Sequence, residues 1–258
     1  MVYIFDGTYP GLLTTVFTAF ERKEIDVTIK SDKFYIHNLF EDSREIVTDK
    51  TKASRVQNGL LKLLPTNKVL DFWRAFLSEQ EAVNQIIFKL TLLVFQGAKH
   101  RLLNFGDEDV LQFNQVLKKV SRERHRMKAF IRFSKSSDQL YVSVVEPDFN
   151  VLPLVITFFK NRYADQPWLI YDNKRQYGIY YNLHQVTEVT LSADNDALQK
   201  AGETIAMDSQ DKRYEKMWQS YFQSTNIEAR KNLKLHLRHV PKRYWKYLPE
   251  KINNRNIS

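Results

Sequence analysis

RERHRMKAFIRFSKSSDQLYVSVVEPDFNVLPLVITFFKNRYADQPWLIYDNKRQYGIYY, residues 122–181, decides the fold, because only here do strand patterns and one clear helix follow each other without interruption. Phe130-Ile131-Arg132-Phe133 reads as a first strand, Ser134 to Gln139 as a polar turn cluster, and Leu140 to Val145 as a second strand. Pro147 cannot continue a ladder. Asp148 or Asn150 is placed to cap the helix that follows, in which Leu152, Val155, Ile156, Phe159 and Tyr163 share one face. That face needs a sheet to cover it. Trp168 to Tyr171 and Gly178 to Tyr181 supply two more strands, joined by the turn-rich Asp172-Asn173-Lys174-Arg175. The chain therefore reads as α+β, with an antiparallel sheet around a strand-strand-helix-strand-strand centre, packed with N-terminal and C-terminal helices.

Working outward toward the start, Asp107 can cap a helix with Val110, Phe113, Leu117 and Val120 on its apolar side and Lys118, Lys119, Arg122 and Arg126 opposite. This helix is expected to run directly into the first central strand. From Thr51 to Gly97 the pattern is wholly helical: Val56, Leu60 and Leu64 mark a helix ended by Pro65, and Val69, Trp73, Phe76 and Leu77 a second. Ser78 with Glu81 forms a capping box for a third, which ends at Gly97. Stripes of this spacing are core rather than cofactor boxes. Val2 to Phe5 is a short strand, Thr8 with Pro10 starts a helix carrying Leu13, Val16, Phe17 and Phe20, and Ile25, Val27 and Ile29 alternate as a strand that Phe34 to Ile36 and Ile46-Val47 can pair with. Working toward the end, Thr187, Val189 and Leu191 suggest a fifth strand, and residues 192–212 a polar linker. Tyr214, Met217, Trp218, Tyr221 and Phe222 make an amphipathic helix, and a last helix covers about 227–239. One α+β domain over 1–258 is expected, with a helical subregion about 51–128, a central sheet region about 129–191 and a basic helical tail about 213–250.

Composition excludes several classes. The 43% apolar and 13% aromatic content of 258 residues is ample for a core. The longest mostly apolar run, Val151 to Phe159, is far short of the roughly 20 residues of a membrane span, and Met1 to Asp6 lacks the pattern of a signal peptide, so a soluble, cytoplasmic protein is expected. With no cysteine, the chain has no disulfide, no thiolate nucleophile and no cysteine-ligated cluster or zinc site. Its 7 glycines form neither a dinucleotide fingerprint nor a phosphate loop. No cofactor is expected.

The net charge of +9 is concentrated at the end. From Asn226 to Ser258 there are nine Lys or Arg against two acids, giving +7 in 33 residues. Such concentration points to a polyanion, with nucleic acid ahead of acidic lipid. Arg230, Lys234 and Arg238 repeat at four-residue spacing, followed by His239 and by Lys242-Arg243-Tyr244-Trp245-Lys246, where cations alternate with rings. Cations neutralise phosphates, and rings stack on unpaired bases for about 1–3 kcal/mol each. The bland alternative has the aromatics anchoring the tail while the cations stay wet. A second basic run is the junction of Arg122, Arg124, His125, Arg126 and Lys128, for which a helix C-terminus is the bland explanation. His125 has no sequence-identifiable partner as a general base. His236 and His239 are two ligands without a third, so no metal site is assigned.

Three pieces carry a resemblance: Arg124 to Phe133; Glu146-Pro147-Asp148 through Val151 to Val155, Phe158-Phe159 and Pro167 to Ile170; and His239 to Trp245. With Tyr3 to Phe20 added, nearly the whole chain resembles a bacterial family of DNA-metabolism or repair proteins of unknown function, partners of a radical-SAM DNA repair protein. Related domains occur fused to uracil-DNA-glycosylase-like domains. The resemblance implies a protein acting on or near DNA beside an iron-sulfur radical enzyme, and no known reaction. No glycosylase motif is visible in this chain.

The expected function is therefore a DNA-binding accessory protein in DNA repair or modification, with DNA and a radical-SAM iron-sulfur protein as partners and no catalytic residue assigned. One alternative is a nucleic-acid-processing enzyme using His125 or the Glu146 and Asp148 pair. Another is an interaction scaffold without DNA affinity, its basic tail docking an acidic partner.

Overall fold

The computed structural model describes residues 1–37, 41–136, 139–190 and 240–249. The chain divides into two compact units, Met1–Arg122 and Glu123–Ser258. The first holds β1 (Val2–Phe5), α1 (Tyr9–Arg22), β2 (Thr28–Ser31), β3 (Ser43–Ile46), α2 (Lys50–Leu63), α3 (Thr66–Phe76), α4 (Glu81–Phe95) and a 3-10 helix, Lys99–Leu103. Next comes α5 (Glu108–Phe130), inside which the division falls. The second unit adds β4 (Ser134–Lys135), β5 (Tyr141–Val145), α6 (Leu152–Arg162), β6 (Trp168–Asp172), β7 (Tyr177–Tyr181), β8 (Val186–Thr190) and a 3-10 helix, Lys242–Tyr247.

In the first unit β1 lies at the centre of a parallel sheet of order β2-β1-β3. Val2, Tyr3 and Phe5 are all buried, as a strand covered on both faces requires. Thr8 caps α1, its hydroxyl oxygen accepting from the Gly11 amide at 3.0 Å while donating to Asp6 Oδ1 at 2.7 Å. The edge of β2 is satisfied by a side chain: Gln85 of α4 accepts from Ile29 N at 2.7 Å and donates to Val27 O at 3.1 Å. Three expectations for this unit are corrected. Phe34 to Ile36 is not a strand, because the chain turns back on Ser31 O directly after β2. The segment around Ile46 pairs with β1 instead of β2. Ser78 does not cap α4: it is consumed in the exit turn of α3 with its hydroxyl buried, and Gln80 precedes α4 without a side-chain cap. Gly97, at φ +82°, ends α4 in the left-handed conformation that glycine adopts without penalty.

Asp107 caps α5 through the amides of Asp109 and Val110. The helix does not give way to a strand at Phe130. Met127 and Ile131 are buried four residues apart, which carries helical packing past Phe130, and Arg132 Nη1 donates to the Ala129 carbonyl at 2.6 Å. The first strand is only Ser134–Lys135, inside the segment expected to be a turn.

The second sheet has order β4-β5-β6-β7-β8. Pairs β4–β5, β6–β7 and β7–β8 are antiparallel, but β5 and β6 run parallel, with Tyr141 opposite Trp168. The all-antiparallel expectation is corrected by α6, which serves as the crossover that parallel neighbours need. The α+β class stands, with one parallel and one mixed sheet. Leu152, Val155 and Phe159 bury the inner face of α6, and Phe159 packs against Trp168, Tyr163 and Phe133. Neither Asp148 nor Asn150 caps α6. Asn150 instead accepts from the Tyr177 hydroxyl at 2.5 Å. Among the described residues no helix is long and apolar enough to cross a membrane.

Candidate nucleic-acid interface

The basic junction lies on the C-terminal half of α5, where helical spacing gives each residue a different environment. Arg122 and His125 are exposed, and Arg124, Arg126 and Lys128 half-buried. Lys118 and Lys119, one turn earlier, are exposed as well. Among the described residues no carboxylate lies within ion-pair distance of Lys118, Lys119, Arg122 or Arg124, and His125 has no hydrogen-bond partner. Lys128 places its ammonium 4.9 Å from the centre of the Phe158 ring. Arg126 is 3.5 Å from Glu123.

Glu123 is the one acid within this run, and it is only 1% exposed. A buried carboxylate is costly without donors, and Glu123 has several. It accepts from the Asp148 amide at 2.8 Å, from the Tyr244 hydroxyl and from Arg243 at 3.4 Å. Burial, then the hydrogen bond to Glu123, pushes the Tyr244 phenol far above its ordinary range, keeping it a donor. Arg243 also meets Asp148 Oδ2 at 2.5 Å. Lys246 pairs with Glu146, whose carboxyl is held below its usual range first by this hydrogen bond and then by Asn173, against the opposing effect of burial.

The tail therefore meets carboxylates. Tyr244 and Leu248 are buried at 2% exposure, and the Tyr244 ring packs against Phe130 and the Arg243 guanidinium. Trp245 is half-buried and donates through Nε1 to Val240 O at 3.0 Å. Lys242 is exposed. Arg230, Lys234, Arg238 and His239 lie outside the described residues, as do the two helices expected over 214–239.

Apart from Glu123 on α5, the counterions come from one place in the fold. Glu146 and Asp148 follow β5 and Asp172 ends β6, at the C-terminal edge of the parallel pair, where open α/β sheets place their ligands. Arg175 fills part of this edge, donating to Asp172 at 2.8 Å, Pro147 O at 3.0 Å and Asp148 O at 3.1 Å. Asp172 is fully buried, and burial pushes its carboxyl above the usual range in spite of Arg175. Each of Glu123, Glu146, Asp148 and Asp172 thus faces a cation: Glu123 and Asp148 meet Arg243, Glu146 meets Lys246, and Asp172 meets Arg175. Glu123 had a signal in the sequence, since it shares a helical column with Met127 and Ile131. Among the described residues no group of three or more acids or histidines could hold a metal.

The acidic edge of the mixed sheet thus meets cations of the chain itself. Residues 81–250 match the model of DUF4130, a domain of unknown function, and since the match takes in more than half of the chain, the protein belongs to that family. Comparison with curated proteins gives no match, and comparison with solved structures gives none either.

Proposed function

We propose that the protein is a DNA-binding accessory factor in DNA repair or modification, working beside a radical-SAM iron-sulfur enzyme that does the chemistry. The carrying observation is the set of solvent-facing cations on α5, Lys118, Lys119 and Arg122, with no carboxylate partner among the described residues. Side chains of this kind are available to phosphates at little desolvation cost, whereas Arg243 and Lys246 would have to give up buried or half-buried acids. The resemblance supplies the radical-SAM companion. A chain without cysteine leaves thiolate ligation of an iron-sulfur cluster to a partner.

Fluorescence anisotropy with single- and double-stranded DNA over a salt series tests this reading. Affinity should fall linearly in log–log form, and Lys118→Gln with Lys119→Gln and Arg122→Gln should each reduce the slope by about 1 while the protein melts as before. Cutting off the tail would expose the seat of Tyr244 and Leu248, so point substitutions are the cleaner probe. Absence of binding at low salt, together with capture of the radical enzyme, would replace this reading with that of a scaffold.

A further inference from the structure

The first unit contains a cavity of about 370 Å3, walled by Leu64, Phe72, Leu90, Val110, Phe113 and Leu117 from α2's end, α3, α4 and α5. Its origin lies in the connections. Pro65 ends α2 and starts α3 with no residue to spare, and the 3-10 helix Lys99–Leu103 passes beside the gap without filling it. Leu63 and Leu103 line the cavity yet are 38% and 70% exposed, so two leucines stand in water at the mouth of an apolar space. Close-packed interiors do not normally leave such room, whereas ligand sites of a few hundred Å3 are built this way, with apolar walls and a few polar groups.

The polar groups here are Lys68, Asp71, Lys99, His100 and Asn114, of which the two lysines are cations. Lys68, Lys99 and His100 line the cavity and are exposed. Lys99 Nζ lies 3.4 Å from the Leu63 carbonyl, over the rim beside the exposed leucine. The single acid of the lining, Asp71, is engaged by Arg74 at 2.9 Å and is 3.9 Å from Lys68.

We propose that this cavity binds a small amphipathic anion, a carboxylate head on an apolar body. The body leaves water for the walls, and the head stays at the mouth beside Lys99, Lys68 and His100. An uncharged apolar molecule would gain the first contribution alone. The walls come from four helical elements of the first unit, the end of α2, α3, α4 and α5. The site is independent of the DNA-binding reading, and its test does not involve DNA.

Isothermal titration of the full chain with decanoate, with decanol and acetate as controls, decides the matter. Decanoate should bind at one site, acetate should give no heat, and decanol should bind more weakly than decanoate. The surface change Lys99→Glu should weaken decanoate roughly two- to fivefold without affecting decanol. Leu117→Trp, which fills the cavity, should abolish decanoate binding while cooperative melting is retained. If that variant does not fold, Lys99→Glu still decides. No decanoate binding at millimolar concentration would overturn the proposal, as would equal affinities for decanoate and decanol, or a decanoate affinity unchanged by Lys99→Glu.

Discussion

At the level of single residues, Glu123 shows how one side chain organises a neighbourhood. It sits buried because the Asp148 amide, Tyr244, Arg243 and Arg126 converge on it from parts of the sequence 3 to 121 positions away. Removing one donor leaves a buried acceptor short of a partner, so Tyr244→Phe should cost about 1–3 kcal/mol in urea unfolding. Glu146 gives a pH-dependent counterpart. Its folded-state pKa is lowered, chiefly by Lys246, so its contribution is complete above the unfolded value and is lost as pH falls through the folded one. Lys246→Met should therefore lower the melting temperature at neutral pH, and the gap from the unaltered protein should close in acid, below the ordinary carboxylate range. A gap that persisted there would mean the Lys246 stem stabilises by packing alone.

At the level of elements, local chemistry decides most boundaries. The start of α1 depends on Thr8 and on the close approach of Gly11 to the loop. Thr8→Ala should cost about 1 kcal/mol of stability. A Cβ at Gly11 would lie 2.2 Å from Asp6 Oδ1 and 2.8 Å from Thr48 Oγ1, so Gly11→Ala should destabilise by about 1–3 kcal/mol through forced displacement. Both are read from thermal or urea melts. The helical spacing of Val56 and Leu60, or of Val83, Ile86, Ile87 and Leu90, is visible without a structure because it reflects which residues lie three and four apart. Phe130 to Phe133 misled for the same reason. Four residues are too few to fix a strand: α5 runs through Phe130, residues 131–133 are in neither helix nor strand, and Ile131 is buried one turn after Met127.

For the whole molecule the question is where the charge of +9 is neutralised. Arg243→Gln should lower stability with little change in the salt dependence of DNA binding, whereas the α5 substitutions should change salt dependence with little change in stability. Calorimetric melting alongside anisotropy separates the two, and equal effects on slope would return the tail to the phosphate interface. The sequence by itself determined the α+β class, the helices from α1 to α4, the caps at Thr8 and Asp107 and the basic character of α5, because each depends on residues within a turn or two of one another. Only the tertiary structure decided that β5 and β6 run parallel, that β1 centres a separate parallel sheet, and that Arg243 and Lys246 meet acids 120 and 100 positions earlier. Strand direction and charge neutralisation depend on which distant segments the hydrophobic core brings side by side, and neighbours along the chain carry no record of that.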